Sequence, residues 1–260
     1  MKIGYVQCDI HLKDKKFNLK KFDKYLSSMG DIDIVVLPEL CNVGYVFENR
    51  DDLMKESEEI HDSPTIDFFR NHARNLNALI VAGFAERQFD DIYNSSVAVY
   101  PDGRIEIYRK VHLFDREKEL FKAGDKGFSV FDFRGVKVSM IICFDWCFPE
   151  TWRTLSLKGV QIVCMSANLV LPGRAQRAVP VMCMMNCIYT ICANRIGKEA
   201  DLSFTGRSII ANPGGEIICE SPSDKEEYRM VEIDPQISLN KWITSRNNIF
   251  QDRRPEFYET

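Results

Sequence analysis

Histidine is scarce in this chain, four in 260 residues, and His11, His61, His72 and His112 show no metal-ligand spacing, which argues against a structural zinc. No stretch of about eighteen apolar residues occurs, so no membrane-spanning helix is expected. The N-terminus MKIGYVQCDI runs into strand-like sequence without the apolar core and cleavage site of a signal peptide, and the expectation is a soluble, cytoplasmic protein. Charge of one sign is also lacking. A net charge of −4 with 28% charged residues leaves no basic field for nucleic acid, and a small-molecule partner is the better default. The chain has no linker-like segment, no repeat at a solenoid period and no Gly-x-Ser-x-Gly elbow, since Ser208 follows Gly206-Arg207 without a second glycine.

Cysteine is not lacking, but its pattern is uninformative. Nine cysteines, an odd number without regular spacing, argue against a disulfide framework and agree with a reducing compartment. Cys183 and Cys187 fall one helical turn apart among Met182, Met184 and Met185, which reads as core rather than as a redox or metal motif. No cofactor and no metal are expected.

Taken in order, Lys2 to Cys8 reads as a strand and Asn18 to Met29 as an amphipathic helix closed by Gly30. Ile32 to Leu37, apolar except at Asp33, has the signature of a strand covered on both faces. Ser63-Pro64 starts a capped helix. A strand through Leu79 to Ala85 precedes a hairpin of Tyr93–Tyr100 and Ile105–Tyr108 about the turn Pro101-Asp102-Gly103. Phe128–Phe133 and Val136–Ile142 form a second hairpin about Arg134-Gly135. Val160–Met165 is a buried strand, and Arg174–Asn186 is a helix with Pro180 as a kink or a late start. Strands at Tyr189–Asn194, Ser208–Ala211, Glu216–Cys219 and Tyr228–Ile233 complete the set. Strands and helices alternate with interrupting hairpins, the pattern of a mixed α/β domain with helices outside two sheets.

The stretch VSMIICFDWCFPETWR, Val138 to Arg153, organises the rest. An apolar run of strand length stops at Cys143-Phe144-Asp145, and Pro149 with Glu150 suits the first turn of a following helix. Cys143 is thereby expected at the C-terminal end of a buried strand, beside a helix start that favours thiolate over thiol. Two other chargeable side chains stand just past strand-like runs, Glu39 in LPEL and Lys110 in YRKVHLF. Each alone reads as a solvated surface charge.

Together, Glu39, Lys110 and Cys143 resemble the Glu-Lys-Cys triad of the nitrilase (carbon-nitrogen hydrolase) superfamily. The motifs GYVF at Tyr45, YRKVHLF and CFDW are similar to its small archaeal-type branch. The resemblance implies a four-layer α-β-β-α sandwich built from residues 1–260 as a single domain, with 247–260 as a tail crossing onto a homodimer partner. It further implies that Cys143 is the nucleophile, Glu39 the general base, and Lys110 with the Phe144 backbone N–H the oxyanion donors. Glu117, seven residues before Gly124, matches the superfamily's second glutamate, and Glu119 is its rival. Tyr45, Phe144, Trp146 and Asn168 are expected to line the substrate pocket. Asn168 could instead satisfy nearby backbone.

Many nitrilases carry Cys-Trp-Glu at the nucleophile. Cys143-Phe144-Asp145 is more like the amidase and carbamoylase branches, so cleavage of a small amide or carbamoyl compound is the first expectation and nitrile hydrolysis the second. A non-catalytic binding protein would have no need of the three residues together, and a metal amidohydrolase would be inactivated by chelators and insensitive to iodoacetamide, the opposite of a cysteine mechanism.

Overall fold

The computed structural model describes residues 1–258; Glu259 and Thr260, the end of the expected tail, lie outside the described residues. In chain order the elements begin with β1 (Lys2–Gln7), α1 (Lys15–Ser28), β2 (Ile34–Val36), α2 (Arg50–Glu56), β3 (Glu58–Glu59), α3 (Pro64–Leu76), β4 (Leu79–Gln88), β5 (Asp91–Val99) and β6 (Ile105–Arg109). They continue with α4 (Glu117–Leu120), β7 (Phe131–Phe133), β8 (Val136–Ile142), α5 (Pro149–Leu157), β9 (Ile162–Ser166), α6 (Arg174–Asn186) and β10 (Tyr189–Ala193). The ribbon β11 (Lys198–Glu199) and β12 (Leu202–Ser203) follows, then β13 (Ile209–Ala211), β14 (Ile217–Glu220) and β15 (Glu227–Glu232).

Two sheets carry the fold. The first runs β15-β1-β2-β4-β5-β6, with β3 on the end of β4, and the second runs β14-β13-β10-β9-β8-β7. Their facing sides share one core, in which Ile3, Tyr5, Val36 and Val81 of the first sheet cluster with Met140, Ile142 and Ile162 of the second. Phe22 and Leu26 of α1, and Ile66 and Phe69 of α3, cover the outer face of the first sheet over Val6, Val35 and Ile80. Trp152 and Leu155 of α5, and Val179 and Cys183 of α6, cover the second. The result is the expected α-β-β-α sandwich.

Local sequence explains most boundaries. The Ser63 hydroxyl accepts the Ile66 N–H at 3.0 Å and Pro64 opens α3, a capped start that needs no partner for proline's missing N–H. Both hairpins form as read, the second through Arg134 and Gly135, each with positive φ (53° and 75°), the turn whose twist matches paired strands. Pro180 lies inside α6. Two expectations are corrected. α1 begins three residues earlier than the apolar spacing suggests, because the Asp14 side chain accepts the Phe17 N–H at 3.0 Å. It ends at an extended Met29 rather than through a left-handed Gly30, which does not have positive φ.

The topology brings three strand ends together. In the second sheet β8, β9 and β10 are parallel, linked through α5 and α6, so all three strands end at the same edge of the sheet. In the first sheet β2 ends at Leu37-Pro38 and turns tightly over β4. Leu37 N–H bonds Val81 O at 2.7 Å and Cys41 N–H bonds Gly83 O at 2.9 Å. Ser166 at the end of β9 reaches across to Leu37 O at 2.8 Å, tying the two sheets beside this turn.

Gly83 is where that turn depends on an absent side chain. A Cβ there would lie 2.5 Å from Glu39 Cα and 2.7 Å from Leu40 N, so the turn can approach β4 only over glycine. Gly83→Ala should cost about 1–3 kcal/mol, as overpacking of a tight interior does, and displace Glu39. Denaturant unfolding together with turnover tests this; a variant as stable and active as the parent would show that the turn tolerates the methyl.

Candidate active site

Glu39, Lys110 and Cys143 lie far apart in sequence, each just beyond a strand end: β2, β6 and β8. The structure brings them together with Glu117. Lys110 Nζ donates to Glu39 Oε1 at 2.7 Å and to Glu117 Oε1 at 2.8 Å, and all three side chains are buried. The Lys110 backbone is itself held on both sides, its N–H on Asn94 O at 2.9 Å and its carbonyl by Gly124 N–H at 2.8 Å. Gly124 has no room for a side chain, since a Cβ would sit 2.2 Å from Arg109 O. Glu117 is fixed on α4, one short turn, by Phe114 N–H to its Oε2 at 3.0 Å and by the Tyr45 hydroxyl to its Oε1 at 2.8 Å. The rival Glu119 is an exposed residue 3.5 Å from Arg116.

Cys143 sits on a strained elbow. Its φ is +41°, and Leu40, next to Glu39, has φ +46°. A side-chain-bearing residue in this region is uncommon, and such conformations persist where the surroundings over-determine them. Here a residue absent from the expected site does so. Buried Asp145 accepts the Ile142 N–H at 2.9 Å, the Tyr108 hydroxyl at 2.7 Å and the His112 N–H at 3.2 Å, and its Oδ1 lies 2.7 Å from His112 Nδ1. One carboxylate thus joins the cysteine elbow to the segment on both sides of Lys110. The only sequence signal was Asp145's place inside CFDW.

Asn94 is the second residue that sequence reasoning missed. Its Nδ2 donates to Glu39 Oε1 at 2.6 Å, so Oε1 takes two donors while Glu39 Oε2 has no partner among the described residues. Asn94 reads in sequence as one polar position inside β5, with nothing to mark it.

The electrostatics follow from burial. Burial works to lower the Lys110 pKa, but Glu117 and Glu39 outweigh it and hold the ammonium above its ordinary range. Burial pushes the Glu39 carboxyl up, Lys110 opposes that and Glu117 reinforces it. The Cys143 thiol is driven well above its usual value, by burial first and then by the Glu39 charge, with Lys110 pulling the other way. This runs against the expectation of a thiolate favoured by a helix start: burial and the Glu39 charge hold the proton on sulfur more firmly than water would. A raised carboxyl pKa suits Glu39 to accept that proton near neutral pH.

Cys143, Phe144, Trp146 and Asn168 line one narrow cleft of about 30 Å³ with Phe114, Leu169 and Leu171. Asn168 is 3% exposed, and among the described residues neither its Oδ1 nor its Nδ2 has a partner. It therefore does not satisfy nearby backbone with its side chain. Tyr45 lies instead on a neighbouring cavity of about 210 Å³, on the Glu117 side, with Phe47, Phe121 and Leu202. Phe114 borders both. Arg116, the one cation on the larger cavity, is engaged by Glu48 O and Glu119.

Fold and site together define an enzyme of the nitrilase fold. The chain superposes with a TM-score of 0.83 on a carbon-nitrogen hydrolase superfamily protein of Xanthomonas campestris, covering 92% of each chain at 23% identity. It superposes at 0.82 on an amidase from Nesterenkonia, covering 98% of this chain and 94% of that one at 22% identity. The chain belongs to the carbon-nitrogen hydrolase family, whose profile matches residues 2–239. It is 43% identical to a nitrilase of Pyrococcus abyssi over 99% of both chains. It is 32% identical to an N-carbamoylputrescine amidase of Arabidopsis thaliana, over 87% of this chain and 83% of the relative.

The two charges next to the sulfur should move its titration in opposite directions. Lys110→Met removes the group that lowers the Cys143 pKa, so alkylation of Cys143 by iodoacetamide should need higher pH. Glu39→Gln removes one that raises it, so the midpoint should fall. Mass spectrometry of the Cys143 peptide across a pH series reads both, and a shift of the same sign in the two variants would contradict the geometry.

Proposed function

We propose that this carbon-nitrogen hydrolase cleaves a small primary amide or carbamoyl compound through a thioester on Cys143. Glu39 accepts the thiol proton as the sulfur attacks the carbonyl carbon. Lys110 and the Phe144 backbone N–H hold the oxygen as it becomes anionic. Glu39 passes its proton to the departing nitrogen, ammonia leaves, and the C–N bond is replaced by C–S. Water, deprotonated by Glu39, then attacks the thioester; the carboxylic acid departs and the thiol is restored. Glu117 forms no bond in this scheme. It holds the ammonium in place and orients the substrate amide.

The observation that carries an amide over a nitrile is the pair of unpartnered buried acceptors, Glu39 Oε2 and Asn168 Oδ1. A primary amide brings two N–H donors on its nitrogen and a carbonyl acceptor for Asn168 Nδ2. A nitrile brings no donor at all. Buried polar groups left unpaired disfavour a substrate by 10⁴-fold or so where a site is built around them. The second reading, nitrile hydrolysis through a thioimidate, is favoured by the name of the 43% identical relative. The 210 Å³ cavity joins apolar walls, Phe47, Leu120, Phe121 and Leu202 among them, to the acidic Asp115, Glu117 and Asp201, and its Arg116 is already engaged; this lining disfavours a substituent ending in a carboxylate.

The same reading includes one domain working as a cytoplasmic homodimer. Nine free cysteines suit a reducing compartment. Leu157 of α5 and Val181, Met184 and Met185 of α6 are large apolar side chains between 43% and 52% exposed, a helical face suited to a second copy, with the tail through Tyr258 beside it.

Ammonia release from a panel of short amides, carbamoyl compounds and the matching nitriles tests the function. Amides should exceed their nitriles at least tenfold in kcat/KM, with all release lost in Cys143→Ala. Lys110→Ala should lower kcat on the order of a hundredfold or more, the effect of losing one oxyanion donor, and near-normal turnover there would remove lysine from the scheme. Asn168→Leu should lower kcat/KM for amides more than for nitriles. A panel on which nitriles are the better substrates would replace the first reading with the second.

A further inference from the structure

The segment after β10, Asn194 to Phe204, takes no part in the proposed chemistry, yet it holds the most completely buried guanidinium in the molecule. Arg195 is fully buried. It pairs with Glu199 across one turn of chain, donates to Ile10 O at 2.6 Å and Asp9 Oδ1 at 3.0 Å, and lies over the Phe204 ring at 4.0 Å. The other oxygen of Glu199 faces away from it, toward the Tyr45 loop. Glu199 Oε2 accepts the Tyr45 N–H at 2.8 Å and the Val46 N–H at 2.7 Å. Gly44, at φ +85°, leaves only the room this carboxylate needs, since a Cβ would lie 2.8 Å from Glu199 Oε1. Phe204 also meets the Tyr45 ring edge-on at 6.1 Å.

We propose that Arg195 and Glu199 are positioning residues that aim the Tyr45 hydroxyl at Glu117 and, through Glu117, set the Lys110 ammonium between its two carboxylates. The proposal rests on the active-site reading above. It gives a continuous chain of hydrogen bonds: Arg195 orients Glu199, Glu199 clamps the backbone of Tyr45 and Val46, Tyr45 donates to Glu117 Oε1, and that same oxygen receives Lys110 Nζ. Neither Arg195 nor Glu199 touches the Cys143 cleft. Their effect on the reaction passes through the tyrosine hydroxyl.

The charged and titratable groups around Glu117 are Lys110 from the end of β6, Glu39 from the turn after β2, Tyr45 from its loop and Cys143 from the elbow. Of these only Tyr45 is steered from outside the active site. Removing its hydroxyl takes a donor from the oxygen that also receives Lys110 Nζ, so the ammonium loses its fixed place beside Glu39, whose carboxyl it holds down, and the rising limb of the rate profile moves up. A carboxylate whose sole task was to neutralise Arg195 would have no reason to move that limb.

The test is a double-mutant cycle of Tyr45→Phe and Glu199→Gln on the full chain, with the best amide of the panel. Each single variant is expected to lower kcat about tenfold with KM within twofold, and to move the rising limb upward by half a pH unit or more. In the Tyr45→Phe background, Glu199→Gln should then change kcat by less than twofold. A further loss of twofold or more in that background, or an unmoved limb in either single variant, overturns the proposal. If Glu199→Gln fails to fold, Tyr45→Phe still decides: wild-type kcat and limb in that variant sink the relay.

The pH dependence of Cys143 alkylation by iodoacetamide supplies a substrate-free readout. Its midpoint should move equally in the two single variants, and unequal movement counts against the relay. A parent enzyme that releases no ammonia from any amide would sink the amide reading, and the alkylation series would still judge the relay.

Discussion

One ammonium ion, shut away from water between two carboxylates, is the constraint from which the rest of the site follows. Lys110 cannot be buried as a cation without partners, and Glu39 and Glu117 cannot both be buried as anions without it. Removing one member of such a cluster leaves an uncompensated charge and typically costs on the order of 3–5 kcal/mol. The arrangement leaves the cluster with an odd charge, which the neighbouring thiol feels: Glu39 raises the cysteine and Lys110 restrains it. The same burial that holds the proton on Cys143 also raises the Glu39 carboxyl, the pairing that the proposed proton transfer from sulfur to Glu39 requires.

Around this cluster the chain uses tight backbone rather than bulk. Glycines at 83 and 124 let β4 and the loop after α4 close on the backbone at Glu39 and Arg109, and positive φ at Leu40 and Cys143 turns two side chains where straight strands would not. Asp145 then locks the elbow to Tyr108 and His112. Strain of this sort costs of order 1–3 kcal/mol per residue, and it is sustained because each strained residue sits at the end of a strand buried in the common core.

Much of this was legible in the sequence because it lies on strong local signals. Apolar runs ending in Pro38, in Cys143 and in the hairpin before Lys110 marked three strand ends, and the resemblance of Glu39, Lys110 and Cys143 to a known triad made one site of them. Ser63-Pro64 and Arg134-Gly135 announced their helix and turn through capping and turn chemistry. Other features had no local mark. Asn94 lies in an ordinary-looking strand and matters only because β5 runs beside the Glu39 turn. Asp145 acts across thirty-odd residues on partners in the other sheet. The short α2, and the ribbon β11–β12, are too brief for periodicity to reveal. The expected pull toward thiolate was misjudged because a helix start can be read from Pro149, whereas burial beside a carboxylate, which raises the Cys143 thiol, cannot.

The sulfur belongs to one sheet and the ammonium to the other. Tyr108 on Asp145 and Ser166 on Leu37 are the pins nearest the site that cross between them. Activity in such a molecule is therefore a gauge of alignment: a slip of about 1 Å between layers spoils a near-attack geometry while every helix and strand survives. Warming should silence the enzyme before it melts it, and a cross-sheet staple placed near those pins is the natural route to a hardier catalyst.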